Sequence, residues 1–484
     1  MTRILLASSE VVPFAKTGGL ADVAGSLPAA FEKGKYDIRV IMPKYASIPK
    51  EYTSKMTFLK HIHITLGWRN KYCGVFKLQH EGIVFYFIDN EFYFGGSQLY
   101  GYIHEDIEKF AFFSKAVLSI LPHLDFHPDI LHCNDWQTGL IPVMLKVFFQ
   151  HNDFYRSIKT ILSIHNLKFQ GIWGLKEIQD ATGLPADCFT IDKLEFNGAA
   201  NLLKGGIVYA DHITTVSNTY MKEIQTPEYG EQLDGLLRAR KNELSGIVNG
   251  ISYTEYNPST DRYIHAKYNR RDFPSRKSEN KLALQRQLGL RPSRHTFLIG
   301  LVSRLTDQKG LDLVSGILED LCEQDMQLVV LGTGESRYED LFRQYAHTHS
   351  DKISANIYFS NELAHKIYAA SDAFLMPSLF EPCGLSQLIS MRYGAVPIVR
   401  ETGGLRDTVE PYNMYTGEGT GFSFRNFNVD EMWNTILFAE ETYKNRKAWN
   451  RIVRQGMARD FSWREAAQKY AKIYSGLMQQ QKVT

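Results

Sequence analysis

Cysteine is scarce in this chain. Five cysteines in 484 residues, an odd number without paired spacing, exclude a disulfide framework and point to a reducing compartment. No run of about twenty apolar residues occurs, so a membrane-spanning helix is excluded. The apolar run near the N-terminus, Ile4–Ala7, is too short for the core of a signal peptide. A cytoplasmic protein is expected. Charge of one sign is also lacking: 55 Lys and Arg against 53 Asp and Glu leave a formal net charge of +2. Bulk electrostatics therefore call for neither nucleic acid nor a membrane as partner. The Gly-x4-Gly-Lys-Ser/Thr loop of phosphate-binding hydrolases is missing. No His or Cys pair stands at metal-ligand spacing, so no structural zinc is expected. Gly332-Thr333-Gly334 opens like a dinucleotide fingerprint, but Arg337 takes the place of the third glycine. That glycine is what lets helix and strand pack closely, so a nicotinamide site is excluded.

The length is too great for one compact core and predicts two domains. Hydrophobic residues are 44% and charged residues 22%, ordinary for a globular chain. Apolar strand candidates at 3–8, 38–42, 130–133, 160–164, 212–216 and 245–248 alternate with helical stretches. The pattern resumes at 297–302, 327–331, 356–359, 373–376 and 395–399. Such alternation predicts an α/β fold with parallel, doubly wound sheets. Three β-like runs between Ile62 and Asp89, punctuated by Gly67 and Gly82, predict an antiparallel excursion. The polar stretch 257–278 reads as a linker and loosely structured surface, with a helix following at 281–288. The boundary is placed at 248, giving domains 1–248 and 249–460. A helix at 461–484 has no strand partner.

Several strands end in polar or glycine-rich turns, where open α/β sheets bind ligands. The first ends in Ser8-Ser9-Glu10, followed by Lys16-Thr17-Gly18-Gly19-Leu20. That turn suits an anion, with Lys16 placed to reach a phosphate; a solvated lysine on a tight turn is the equal alternative. The run at 91–102 holds Phe92, Tyr93, Phe94, Tyr100 and Tyr102, which either stack on sugar rings or fold onto their own sheet. Asn134-Asp135-Trp136 and His165-Asn166 close two further strands. Asp135 is a ligand contact or a helix N-cap, and His165 a ligand contact or a hydrogen-bonded buried histidine. Asn249-Gly250 closes a third. Arg304 and Lys309, five residues apart on one strand-to-helix loop that ends at Gly310, predict a clamp on a diphosphate. Met376 to Leu405 brings Glu381-Pro382-Cys383-Gly384-Leu385 and, after another strand, Thr402-Gly403-Gly404-Leu405, a second copy of the first glycine turn.

Lys16–Asp22, His165-Asn166, Arg304–Gly310, Glu381–Leu385 and Thr402–Leu405 together resemble the bacterial glycogen synthases and plant starch synthases, in family order and from Ile4 to about Tyr474. The resemblance implies two Rossmann-like lobes of the GT-B glycosyltransferase fold, an active site in the cleft between them, and a C-terminal helix returning to the first lobe. It implies transfer of glucose from ADP-glucose to the non-reducing end of an α-1,4-glucan with retention of configuration. Carried over by position, Lys16, Gly19, Arg304 and Lys309 would meet the donor phosphates, with Thr402 and Gly403 offering backbone amides. Glu381, with Cys383, Gly384 and Leu385, would sit at the donor glucose. His165 would approach that glucose, and Phe359 would stack on adenine. Tyr100, Asp135, Trp136, Asn166 and Asn249 would line the sugar and acceptor side. Many two-lobed transferases place a second glutamate eight residues after the first to bind ribose; here that position is Ile389, and the ribose contact is unassigned.

With three cations for one diphosphate, no metal ion and no cofactor is expected. A glucan phosphorylase would need pyridoxal phosphate, which no stretch here requires. A UDP-glucose-dependent transferase and a non-catalytic glycan-binding relative are the remaining alternatives. The second is disfavoured because Lys16, Arg304, Lys309 and Glu381 all stand. Closure of the two lobes on the donor is expected, and nothing in the sequence sets the oligomeric state.

Overall fold

The protein, seen here in a computed structural model, is described over residues 1–101 and 103–480. Tyr102 and the last four residues of the expected C-terminal helix lie outside the described residues. The chain divides into two compact units. Unit 1 comprises Met1–Val216, Met221–Gly250 and Trp463–Thr484; unit 2 comprises Ser217–Tyr220 and Ile251–Ser462. The boundary thus falls two residues later than the pattern suggested, and the short stretch 217–220 belongs to unit 2. There Ser217 Oγ–H donates to the Pro382 carbonyl at 2.6 Å, and the Thr219 amide and hydroxyl both donate to the Asp407 carboxylate.

The strands of unit 1 are β1 (Thr2–Ala7), β2 (Tyr36–Pro43), β3 (Thr57–Leu66), β4 (Arg69–His80), β5 (Ile83–Asp89), β6 (Ile130–Asn134), β7 (Lys159–Ile164), β8 (Ile172–Gly174), β9 (Glu195–Phe196), β10 (Ala199–Asn201), β11 (His212–Thr215) and β12 (Leu244–Gly246). The main sheet runs β12-β11-β7-β6-β1-β2-β5-β4-β3. It is parallel as far as β5; β4 and β3 pair antiparallel at its edge. Strands β1 and β6 are neighbours although four strands separate them in sequence. The order reverses there, so the carboxyl ends of β1 and β6 open a crevice. Every residue of β6 is buried, as expected of a parallel strand covered on both faces. Helix Trp463–Gln480 packs on this unit. Trp463, Ala466, Ala467, Tyr470, Tyr474 and Leu477, spaced three to four apart, meet Ile4, Val23, Phe31, Ile130 and Ile161. The stretch 194–209 begins with a small hairpin of β9 and β10, and its helix covers Leu202–Tyr209. Asn201 caps that helix through its side chain.

Unit 2 holds β13 (Phe297–Val302), β14 (Met326–Leu331), β15 (Ile353–Asn356), β16 (Ala373–Met376), β17 (Val396–Arg400) and β18 (Phe422–Phe424). Its sheet is wholly parallel in the order β15-β14-β13-β16-β17-β18. This is the doubly wound order 3-2-1-4-5-6, with its switch point between β13 and β16. Strand β15 lies three residues earlier than the pattern at 356–359 placed it, and Phe359 falls on the loop beyond.

The stretch 257–278 is not a loose linker. Ile264, Ala266 and Tyr268 are buried, and helix Phe273–Gln287 starts well before the expected 281. The inward face of that helix carries Lys277, Asn280, Lys281 and Gln285, so it shows no apolar periodicity. Each buried polar group is satisfied. Lys277 Nζ donates to the carbonyls of Tyr368, Ala369 and Tyr393. Lys281 Nζ donates to Asp372 at 2.5 Å, to the Tyr443 hydroxyl at 2.9 Å and to the Thr296 carbonyl. Asp372 in turn accepts the Leu298 amide at the start of β13. Removing one partner of such a buried pair leaves an uncompensated charge. Lys281→Met is therefore expected to destabilise unit 2 by about 3–5 kcal/mol, read as a lower urea midpoint for the transition of that unit.

Candidate active site

In unit 2 the loop after β13 and the loop after β16 are zipped together at the switch point. The Leu379 amide donates to the Gln308 carbonyl at 2.9 Å, and Gln308 Nε2 donates to the Phe380 carbonyl at 3.3 Å. Gly310 has φ of +69°, and a Cβ there would run into the Pro377 carbonyl, so the close approach requires glycine. The outcome is an ion pair. Lys309 Nζ lies 2.6 Å from Glu381 Oε2, which also accepts the Ser378 hydroxyl at 3.1 Å. Glu381 is only 6% exposed. Its main chain is held as well: the Gly404 amide donates to the Glu381 carbonyl at 3.0 Å. Gly403 has φ of +44°, and a Cβ there would collide with that same carbonyl oxygen. The second Thr-Gly-Gly turn is thus glycine-rich because the Glu381–Cys383 backbone lies against it. Thr402 is buried at the N-terminus of the short helix Gly403–Thr408. Gln387 Nε2 closes the Cys383-Gly384-Leu385 turn on the carbonyls of Cys383 and Gly384.

The two cations expected as a clamp are not equivalent. Lys309 is committed to Glu381. Arg304 is exposed, and its guanidinium meets no partner among the described residues. Phe359, on the loop after β15, is 87% exposed. Ile389 is 5% exposed and belongs to the apolar core of the unit. The glycines of Gly332-Thr333-Gly334 have a structural cause: Leu305 bridges Gly334, its amide donates to the Thr333 carbonyl, and side chains at 332 or 334 would strike the backbone of Ser303 or Leu305.

In unit 1, Asp135 follows β6 with φ of +56°. Its side chain makes no N-cap bond; it reaches across to β7, where its carboxylate accepts the His165 amide at 2.7 Å. Burial raises the Asp135 carboxyl to about 7, against the opposing pull of the His165 and Asn166 amides. His165 Nε2 lies 2.8 Å from Asn134 Oδ1. The Asn134 amide nitrogen donates to the Ala7 carbonyl, which fixes Oδ1 as the acceptor, so Nε2 carries the proton. Burial lowers the His165 imidazole to about 4, so the ring is neutral at pH 7, and its Nδ1 lone pair meets no donor among the described residues. Asn166 Oδ1 accepts the Lys168 amide. Asn249 is 6% exposed, and its Oδ1 meets no donor among the described residues. Trp136 packs edge-on against Phe110 and Trp173, with ring centres 5.2 and 5.3 Å away.

The loop after β1 differs most from its sequence pattern. Lys16 is exposed and pairs with Asp22 at 2.8 Å. Gly19 is the first residue of helix Gly19–Ser26. The anion on the Thr17-Gly18 amides is the chain's own Glu10, and Tyr100 donates its hydroxyl to the same carboxylate. Sequence reasoning assigned Glu10 no role. Its signal was a carboxylate at the end of an apolar strand, a few residues before a Thr-Gly-Gly turn. Ser378, which shares the Glu381 carboxylate, gave no comparable signal. Of the aromatic run, Tyr93 and Phe94 are buried and Phe92 is 77% exposed.

Residues 3–239 match the family model of the starch synthase catalytic domain, and residues 289–456 match that of glycosyl transferases group 1. The chain is 63% identical to the glycogen synthase of Lachnospira eligens, over 99% of this chain and all of the relative. It is 50% identical to the glycogen synthase of Bacillus anthracis over the same shares. This chain belongs to the glycogen and starch synthase family. The catalytic domain of starch synthase IV from Arabidopsis thaliana, solved bound to ADP and acarbose, superposes with a TM-score of 0.91. It shares 31% identity and is covered to 99%, with 98% of this chain matched. Sucrose-phosphate synthase from Thermosynechococcus elongatus, at TM-score 0.62 and 16% identity, shares the fold. The family's GT-B architecture, two α/β domains with parallel sheets, is the one built here.

A carboxyl raised by burial favours its protonated form in the folded chain, so it contributes stability that falls as pH rises from about 4 to about 7 and then levels off. Asp135→Asn should remove this slope. The difference in urea midpoint between variant and parent is expected to grow in the variant's favour between pH 4 and 7 and to stay constant above that.

Proposed function

We propose that this protein is a glycogen synthase: it transfers glucose from ADP-glucose to the non-reducing end of an α-1,4-glucan, retaining configuration and releasing ADP. The observation that carries this is the Lys309–Glu381 pair at the switch point of unit 2, with Arg304 exposed on the same loop, in a chain that matches glycogen synthases over its full length. The ADP and acarbose of the Arabidopsis structure support a nucleoside diphosphate and an α-glucoside as the ligands. No step needs a metal ion if the cations hold the diphosphate.

Breaking the bond from glucose C1 to phosphate oxygen puts charge on the diphosphate and leaves positive character on the sugar ring. Arg304 meets the developing phosphate charge. Lys309 is released towards it as phosphate competes with Glu381. The Glu381 carboxylate then faces the electron-poor sugar. Lys16, His165, Asp135, Asn166 and Asn249 are the unit 1 groups proposed for phosphate and sugar hydroxyls, with the neutral His165 ring suited to hydrogen bonding. We favour a front-face course, because among the described residues Glu381 is the one buried carboxylate on the switch-point loops of unit 2, with no second placed beside it for a two-step exchange. In that course the acceptor 4-hydroxyl oxygen bonds to C1 as the C1–O bond to phosphate breaks, and its proton passes to the departing phosphate oxygen. The absence of a membrane-crossing helix among the described residues suits a cytoplasmic setting.

ADP-glucose and UDP-glucose offered separately with glycogen should give rapid release of ADP and slow release of UDP; the reverse would replace the donor. Arg304→Ala and Lys309→Ala should each cut turnover by at least ~10²-fold with the thermal midpoint of the parent. Near-normal turnover in both would remove the diphosphate clamp.

A further inference from the structure

We propose that Glu10 is a positioning residue for this reaction, a built-in anion that fills the amide nest of the Thr17-Gly18-Gly19 turn and so sets the loop that carries Lys16. This rests on the glycogen synthase reading. Glu10 sits just beyond β1, at the switch point of the unit 1 sheet, and is 4% exposed. Its Oε2 accepts the amides of Thr17 and Gly18, the latter at 3.1 Å. Its Oε1 accepts the Thr17 hydroxyl at 2.7 Å and the Tyr100 hydroxyl at 2.8 Å. The Tyr100 oxygen also lies 2.7 Å from Ser9 Oγ, and Ser8 Oγ–H donates to the Glu10 carbonyl at 2.7 Å. Two donors per oxygen fill the capacity of a buried carboxylate without a cation.

Burying a charge is costly unless every lone pair is engaged. What the carboxylate brings is four acceptor sites at one point. Its presence at the ligand end of the sheet, spanning β1, the turn and Tyr100, ties three separate segments to one point. The adjacent cation does not neutralise it, because Lys16 turns instead to Asp22. Glu10 holds the turn and leaves the Lys16 ammonium, an exposed ion pair, free to exchange Asp22 for phosphate. The Thr17 and Gly18 amides are accordingly taken, so donor phosphate meets the Lys16 side chain and not those two amides. The charge of Glu10 also contributes to the raised Asp135 carboxyl, which places the two carboxylates within electrostatic reach.

The test compares Glu10→Ala, Glu10→Gln and the parent, with and without sodium acetate, in ADP release and thermal unfolding. In Glu10→Gln the amide oxygen accepts the two backbone amides, and its NH2 donates to the two hydroxyls. That variant should keep kcat within about threefold. Glu10→Ala should lose about 10²-fold in kcat with a smaller change in KM for ADP-glucose, the order of loss for a misplaced group. Acetate, entering the vacated nest, should raise the midpoint of Glu10→Ala but not of the parent, and restore part of its kcat. Parent-like kcat in Glu10→Ala would overturn the proposal. So would Glu10→Gln as poor as Glu10→Ala, or acetate that stabilises without restoring turnover. The acetate effect on unfolding is independent of the substrate. A parent inactive with ADP-glucose would therefore sink the functional reading while leaving the filled nest decided by the thermal shift.

Discussion

The unit 2 site depends on one close contact between backbones. Where the sheet order reverses, the loop after β13 and the loop after β16 emerge side by side and must share a narrow space. Gly310 admits the Pro377 carbonyl, Gln308 bonds both Leu379 and Phe380, and only then does Lys309 reach Glu381 at 2.6 Å. Arg400 on β17 adds bonds to the carbonyls of Ser378 and Leu379. A salt bridge this buried is weak evidence for stability, because desolvating two charges offsets their attraction. Under the proposed function it is a held charge pair that an incoming diphosphate would divide.

The repeated Thr-Gly-Gly-Leu shows how one tetrapeptide serves two local problems. At Thr402–Leu405 the glycines are required by another backbone: the carbonyls of Glu381 and Cys383 occupy the space where side chains would be. At Thr17–Leu20 a Cβ on Gly18 would meet nothing nearby, and what matters is the pair of amides that Glu10 accepts. The two turns look alike as sequence because glycine records the need for space or amide access without saying which.

Much of the fold was legible because parallel strands buried on both faces are apolar runs, and their ends are marked by Gly, Asn or Asp. The excursion of β3, β4 and β5 was announced by Gly67 and Gly82, both in the left-handed region. Helix Phe273–Gln287 was hidden because Lys277, Asn280, Lys281 and Gln285 interrupt its buried face, stabilised by carbonyls that come from distant segments. Strand β15 was displaced because Ile357, Tyr358 and Phe359 extend the apolar pattern past its last paired residue. Glu381, Lys309 and Arg304 stood out by their place after strands. Glu10 and Ser378 did not, since a role that consists of holding another loop depends on contacts that spacing does not encode.

Ile389 bears on how far the wider pattern of two-lobed transferases applies. Its side chain is 5% exposed and packed into the apolar core of unit 2, one residue before the buried Ser390 and one after the buried Leu388. A glutamate in that orientation would place a carboxylate among aliphatic groups, at the cost of an unpaired buried charge. Exchanging Ile389 for glutamate is therefore not a route to a ribose contact in this backbone. The position serves packing here, while Phe359, the ring expected to stack on adenine, stands 87% exposed on the loop after β15.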